Sequence, residues 1–228
     1  MAMRFPAPLH GWRAFAGEVG TIVLGVLLAL GAQELVQGQH WRSEVKETRQ
    51  ALDAELARDL AAFDYRYRNK ACTAERLAEL RRWAAALGSG KTPPLKHEIE
   101  EPPYFSIRTA AWEITDGEIA SRIPVRAKLN YAALYDGLRK FDQAKNEESL
   151  AWSTLNEYQD ATHADASDLR TIRRALKDIE DVNTILEPFK VAFDRFSGQL
   201  GIVPQLKLEG ADGPMLMGWE KEACSPLL

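Results

Sequence analysis

Residues that usually carry chemistry are scarce in this chain. Its 228 residues include only two cysteines and four histidines. Cys72 and Cys224 stand far apart in sequence, so there is no Cys-x-x-Cys pair of the kind that ligates zinc. His10, His40 and His97 are isolated, which leaves no histidine–carboxylate–nucleophile grouping to argue from. No Glu-x-x-His motif occurs, and this excludes the paired-helix carboxylate arrangement of di-iron bundles. An excess of basic charge is missing too. Against 33 acidic residues stand 29 Lys and Arg, a formal net charge of -4 with no hint of nucleic-acid binding. From these absences we expect no catalytic residue, no cofactor and no metal, hence a protein that is not an enzyme and has neither nucleic acid nor nucleotide as a partner.

Two local patterns need separate treatment. Asp160, His163, Asp165 and Asp168 fall within DATHADASD, where one His and three carboxylates could meet a metal. Short Asp/Ser/Thr/His runs between helices more commonly serve as caps and turns, which is the expectation here. Ala85 to Thr92 fits a relaxed phosphate-loop pattern, with Lys91 and Thr92 at the positions that meet phosphate and magnesium. That motif needs a strand before the loop and a helix N-terminus after it. Here a helical pattern precedes the loop and Pro93-Pro94 follows it.

What the chain does have is one long apolar run. Val19 to Ala32 (VGTIVLGVLLALGA) contains no charge, and with its flanks it extends over 14–36, about 23 residues, enough to cross a bilayer as a helix. A cleaved signal peptide is the alternative, with Ala29-Leu30-Gly31 as a small-x-small site and Arg4 and Arg13 as a basic leader. A buried core helix is the third reading. Against cleavage, no Pro or turn follows the run, and the chain continues directly into a helical pattern. Arg4, Arg13 and the amino terminus face a single Glu18 before the run, whereas Glu34 to Arg49 is balanced in charge. This bias places the N-terminus inside and the rest in the periplasm of a bacterial inner-membrane protein. An oxidising periplasm permits a Cys72–Cys224 disulfide, and two separate thiols remain equally open.

Gly17, Thr21, Gly25 and Ala29 recur every four residues and so form one ridge of small side chains along the apolar helix. Such a ridge lets a second transmembrane helix approach closely, where packing drives association. The expected partners are therefore the lipid bilayer and a membrane protein or a second copy of this chain.

The string GEVGTIVLGVLLALGAQELV, followed by HWRSEVKETRQALDAELARDL, resembles the start of a group of uncharacterised bacterial single-pass membrane proteins. Those begin with a Gly-Glu-[Val/Ile] step and a Gly-[Val/Ile]-Leu-[Leu/Ile]-Ala-Leu core, then a Trp and a charged helix. The likeness covers about the first 60 residues. It implies a single-span anchor bearing an extracytoplasmic helical domain, and it supplies no activity and no catalytic residues.

Downstream, apolar residues recur at helical spacing, which predicts an all-α fold. The transmembrane helix continues into a long helix that packs with a three- to four-helix extracytoplasmic bundle and an irregular C-terminal tail. The expected division is a short cytoplasmic head at 1–13, a transmembrane helix at 14–36, the bundle at 37–196 and a Gly/Pro-rich tail at 197–228. The first helix should reach about Asn69, and Thr73 should cap the next, which ends at Gly88. A Gly/Pro-rich loop follows at 88–103, and then a short helical piece from Thr109 to Ala120. Tyr131, Leu134, Leu138, Phe141, Trp152 and Leu155 keep one register, interrupted at Lys145 and Glu148, which we expect to be solvated because buried charge is costly. Leu169, Ile172, Leu176, Ile179, Asn183 and Leu186 form a heptad seam with one polar insertion, and Pro188 should kink or end that helix.

Two functions fit this pattern. One is a membrane-anchored accessory or scaffold module that associates through its transmembrane ridge and its bundle. The other is a sensor-like domain with a small-molecule pocket lined by Trp112, Tyr131, Tyr135 and Trp152.

Overall fold

The computed structural model describes residues 12–91, 93–115, 117–205 and 225–228. The protein is all-helical, and no strand occurs among the described residues. Among the described residues six helices follow one another: α1 (Trp12–Arg68), α2 (Lys70–Gly88), α3 (Ala110–Glu113), α4 (Gly117–Arg122), α5 (Val125–Asn156) and α6 (Ala166–Leu200). Two compact units divide the chain, Met1–Thr48 and Arg49–Leu228, and the boundary falls inside α1.

In the first unit the described residues are helical throughout. The absence of Pro and turn residues after the apolar run lets α1 continue unbroken, as the sequence predicts. This is the one described helix long and apolar enough to cross a membrane, and none of its apolar window is buried in protein. That exposure removes the reading of the run as a buried core helix. Ile22, Leu27 and Leu28 are each at least three-fifths exposed. Each such side chain would gain about 1.5–3 kcal/mol on moving from water into an apolar medium.

The second unit is a bundle of three rods. The last 20 residues of α1, about 30 Å of helix, lead through the single non-helical residue Asn69 into α2. Both helices pair with α6 in the antiparallel sense and at successive levels. On α1, Phe63 stacks edge-on with Phe193, Arg66 reaches Asn183 and Tyr67 reaches Glu187. On α2, Arg81 pairs with Glu180 and Gly88 abuts Leu169. The third rod, α5, runs parallel to α1: Tyr131 meets Asp53, Phe141 meets Phe63, and Glu148 meets Arg66. α5 and α6 lie antiparallel, with Asn130 bonded to Gln199 and Gly137 against Phe193. A Cβ built at Gly137 would stand 2.5 Å from Phe193 Cε1, so it could enter only if the Phe193 ring shifted.

Several local expectations are corrected. Thr73 does not cap α2 but lies inside it, buried, with its hydroxyl donating to the Asn69 carbonyl. The irregular segment after Gly88 continues to Thr109, and the short helical piece is two helices, α3 and α4. Pro188 neither ends nor divides α6, which runs on to Leu200. Thr184, whose carbonyl loses its amide partner there, is exposed, as is Pro188, so water can take over. Residues 197–200, assigned to the irregular tail from sequence, are the last turn of α6, which closes at Gly201 with φ 75°. Most of the remaining tail, with Trp219 and Cys224, lies outside the described residues. Its last residues are docked: Leu227 is buried in the core with Leu77, Leu80 and Trp83, its amide donates to Glu79, and its carbonyl accepts from the Lys96 amide.

Candidate functional site

Several places could carry function, and the small-residue ridge comes first. Gly17, Thr21, Gly25 and Ala29 all lie exposed on α1, and a Cβ added at Gly17 or Gly25 would meet nothing within 4 Å. The Thr21 hydroxyl donates to the Gly17 carbonyl at 2.9 Å. The one polar member of the ridge is thus satisfied within its own helix, and the ridge presents small surfaces without an open hydrogen-bond demand.

The second place is the middle of the bundle. Lys145 and Glu148 are not solvated: they are 1% and 0% exposed. Arg66, 2% exposed, approaches Glu148 in bidentate fashion, Nη2 to Oε1 at 2.8 Å and Nε to Oε2 at 3.3 Å. Lys145 Nζ adds a contact to Glu148 Oε2 at 3.1 Å and one to Glu101 at 3.4 Å, and it lies 5.3 Å from the centroid of the Tyr104 ring. Trp152 Nε1 donates to Glu148 Oε1 at 3.3 Å. Asn183 accepts from Arg66 and donates to the Lys70 carbonyl. Burial pushes the Glu148 carboxyl up, but the charges of Arg66 and Lys145 and their hydrogen bonds outweigh it and hold the group below its ordinary range. Two cations and two carboxylates neutralise one another, which makes this a paired and largely buried charge layer.

A third cluster lies where the irregular segment crosses α1. Tyr131 and Tyr135 are fully buried, and their hydroxyls donate to Asp53 at 2.6 Å and Glu55 at 2.8 Å. Burial, reinforced by the hydrogen bond to Asp53, pushes the Tyr131 hydroxyl up to about 12. Trp112 stacks on Tyr135 with centroids 5.2 Å apart. These three rings fill the space that the sequence reading assigned to a ligand. Trp152 belongs to a different cluster, with Leu77, Leu80 and Ile172. The structure therefore brings three of the four expected pocket residues together. Open grooves lie elsewhere, one of about 360 Å³ between α2 and α6 over Ala84, Leu169 and Leu176.

Asp160, His163, Asp165 and Asp168 do not converge on a metal, and no metal-binding group of His, Cys, Asp or Glu occurs among the described residues. Asp165 is instead the N-cap of α6: it accepts from the amides of Ser167 and Asp168, while Asp168 accepts from the Asp165 amide. Those amide hydrogen bonds lower the Asp165 carboxyl. The phosphate-loop pattern is a helix end, since α2 runs through Gly88 with no strand before it, and Thr92 lies outside the described residues. Arg170, Arg173, Arg174 and Lys177 are exposed on α6, with Lys177 paired to Asp181.

Cys72 sits on α2, and Cys224 lies outside the described residues. Sequence reasoning missed Arg66, Asp59 and the docking of Leu227. For the first two the signal was register: Leu52, Leu56, Asp59, Phe63 and Arg66 follow alternating steps of four and three, so the charges stand on the buried seam.

The class that the fold defines is an all-helical protein with, among the described residues, one helix long and apolar enough to cross a membrane, and a second, helical unit. No protein-family model, curated protein or solved structure matches this chain.

Proposed function

We propose that this is a membrane-anchored helical accessory or scaffold protein that associates with a membrane protein or with itself through its transmembrane helix and its external bundle. In this reading α1 holds it in a bacterial inner membrane, with the N-terminus cytoplasmic and the bundle periplasmic. The protein is not an enzyme and needs neither cofactor nor nucleotide. The observation that supports the reading most is the small-residue ridge on the part of α1 whose apolar window is unburied. In lipid, helices attract through close packing, and a ridge of this kind allows the closest approach.

The test is assembly in mild detergent, read by crosslinking and by mass spectrometry of co-purifying proteins. Gly17→Leu with Gly25→Leu should abolish the complex, while Leu27→Ala on another face should leave it intact. A ridge variant that assembles like the parent protein would falsify the reading. A C-terminal reporter active only in the periplasm should be active, and a silent one would overturn the orientation.

We also propose that Cys72 and Cys224 pair in that compartment. Arg76, one turn after Cys72 on α2, donates to the carbonyl of Ser225 at 3.2 Å, and Ser225 directly follows Cys224 in the chain. Non-reducing digestion should release the linked peptides, and recovery of both thiols in alkylated form would exclude the bridge.

A further inference from the structure

α2 divides its faces between core and solvent. Leu77, Leu80, Trp83 and Leu87 are buried in the core, whereas Arg81, Ala85 and Gly88, spaced by four and three, form an exposed stripe beside α6. Small side chains on this side leave room. Gly88 lies so close to α6 that a Cβ there would stand 2.6 Å from Leu169 Cδ1, and one turn earlier Ala84 and Ala85 offer only methyl groups. The result is the groove of about 360 Å³ between α2 and α6, with Ala84, Ala85, Leu169 and Leu176 as its apolar lining. From Leu169 to Glu180 it follows about three turns, or roughly 16 Å, of α6.

The rim of this groove is cationic. Arg81 on α2 and Arg173 and Lys177 on α6 line it against a single acid, Glu180. Glu180 is already shared between two of them, 2.9 Å from Arg81 Nη2 and 3.9 Å from Lys177 Nζ. Lys177 also bonds Asp181, and Arg81 stands close enough to repel it. Arg173 makes no hydrogen bond or ion pair with a described residue. Along α6 the stretch from Arg170 to Lys177 holds four cations and no acid, in a chain whose net charge is -4.

We propose that the α2–α6 groove is the docking site for an acidic amphipathic helix of a partner protein, which rests on the reading that the bundle takes part in association. The occupant lays an apolar stripe on Ala84, Ala85, Leu169 and Leu176 and sets carboxylates against Arg173, Lys177 and Arg81. Shape selects a helix. The outer groove of two antiparallel helices is where a further helix packs, and three turns match anchors at i, i+3, i+4 and i+7. The groove is open on its outer side, where Arg81, Ala85, Arg173 and Lys177 are all exposed. An amphipathic helix keeps its outer face wet there, whereas a small-molecule site encloses about 70–90% of its ligand. Charge selects an acidic one, because the cationic rim attracts carboxylates and rejects basic helices. The contact is shallow, and a partner held in the same bilayer meets it at high effective concentration, so a weak contact suffices.

The experiment is fluorescence anisotropy of a labelled helical peptide titrated with the full chain in phosphatidylcholine nanodiscs. The probe has about 15 residues, with Leu at three- and four-residue steps and Glu on both flanks. Binding should saturate and weaken as salt is raised. Ala85→Trp, which fills the groove from an exposed position, should abolish it. Arg173→Glu breaks no recorded contact and should weaken binding by about fivefold. Leu150→Trp, in the separate groove between α5 and α6, should leave it unchanged. The same peptide with Lys in place of Glu should not bind. Gly17→Leu with Gly25→Leu should bind the probe as the parent does, so a failed transmembrane contact and a failed groove are read separately. No saturable binding, equal binding of the Lys peptide, or binding unmoved by both groove variants overturns the proposal. Phosphatidylglycerol vesicles that capture the chain through Arg173 while the peptide does not bind would assign the groove to lipid, and that also overturns it.

Discussion

Removing the Glu148 carboxylate should be among the most damaging single changes in the bundle. Glu148 is 0% exposed and receives Arg66 through two contacts, Lys145 through one and Trp152 through one. In Glu148→Ala, Arg66 keeps only Asn183 among these partners and Lys145 keeps only Glu101, both cations still almost without water. Stranding one partner of a buried ion pair costs about 3–5 kcal/mol. Set against a total stability of about 5–15 kcal/mol, and at about 2–4 °C per kcal/mol for a unit of this size, the melting temperature should fall by roughly 6–20 °C. Far-UV circular dichroism of the full chain in detergent would record it.

A pH scan adds a second arm. The folded Glu148 carboxyl lies below its unfolded value, so its contribution is complete above the ordinary Glu range and is lost as pH falls through the lower folded value. A triple variant, Arg66→Met with Lys145→Met and Glu148→Leu, should recover most of the loss, because replacing a whole buried cluster by apolar volume is often neutral or stabilising. A loss under about 1 kcal/mol in Glu148→Ala would mean that the layer is wet, and the reasoning would fail.

Two glycines on long helices should respond oppositely. Gly137→Ala drives a Cβ into Phe193, itself packed against Phe63 and Phe189, and should destabilise by about 1–3 kcal/mol. Gly198→Ala meets nothing within 4 Å and should stabilise by up to about 1 kcal/mol, both read from urea midpoints. Asp165→Ala removes the α6 cap and should cost about 1 kcal/mol, with no change in metal content by elemental analysis. Leu227→Ala empties a core position otherwise held by the docked tail and should cost about 2–5 kcal/mol in the same denaturant assay.

Much of the architecture was legible because helical periodicity is local. The seam from Ile172 through Leu186 is buried as its spacing predicts, with Asn183 as its polar member. DATHADASD proved to be a cap because an Asp three residues before another Asp at a helix start satisfies amides that nothing else reaches. The misreadings came where pattern and composition disagreed. Leu138, Phe141, Lys145, Glu148, Trp152 and Leu155 advance by three and four without a gap, so the register placed both charges inside while their polarity suggested water. Register won, because Arg66 and Asn183 arrive from two other helices at the same level.

By itself the sequence determined an all-helical chain, a segment able to span a membrane, and the small-residue ridge upon it. Each of these depends on the spacing of residues within about one turn or one helix of each other. Only tertiary structure decided that Lys145 and Glu148 are buried, that the tyrosines and Trp112 fill their own space, and that Asp59 anchors a crossing segment 49 residues further along the chain. The reason is that a polar group can be buried only where partners from other elements converge on it, and that convergence has no local signature.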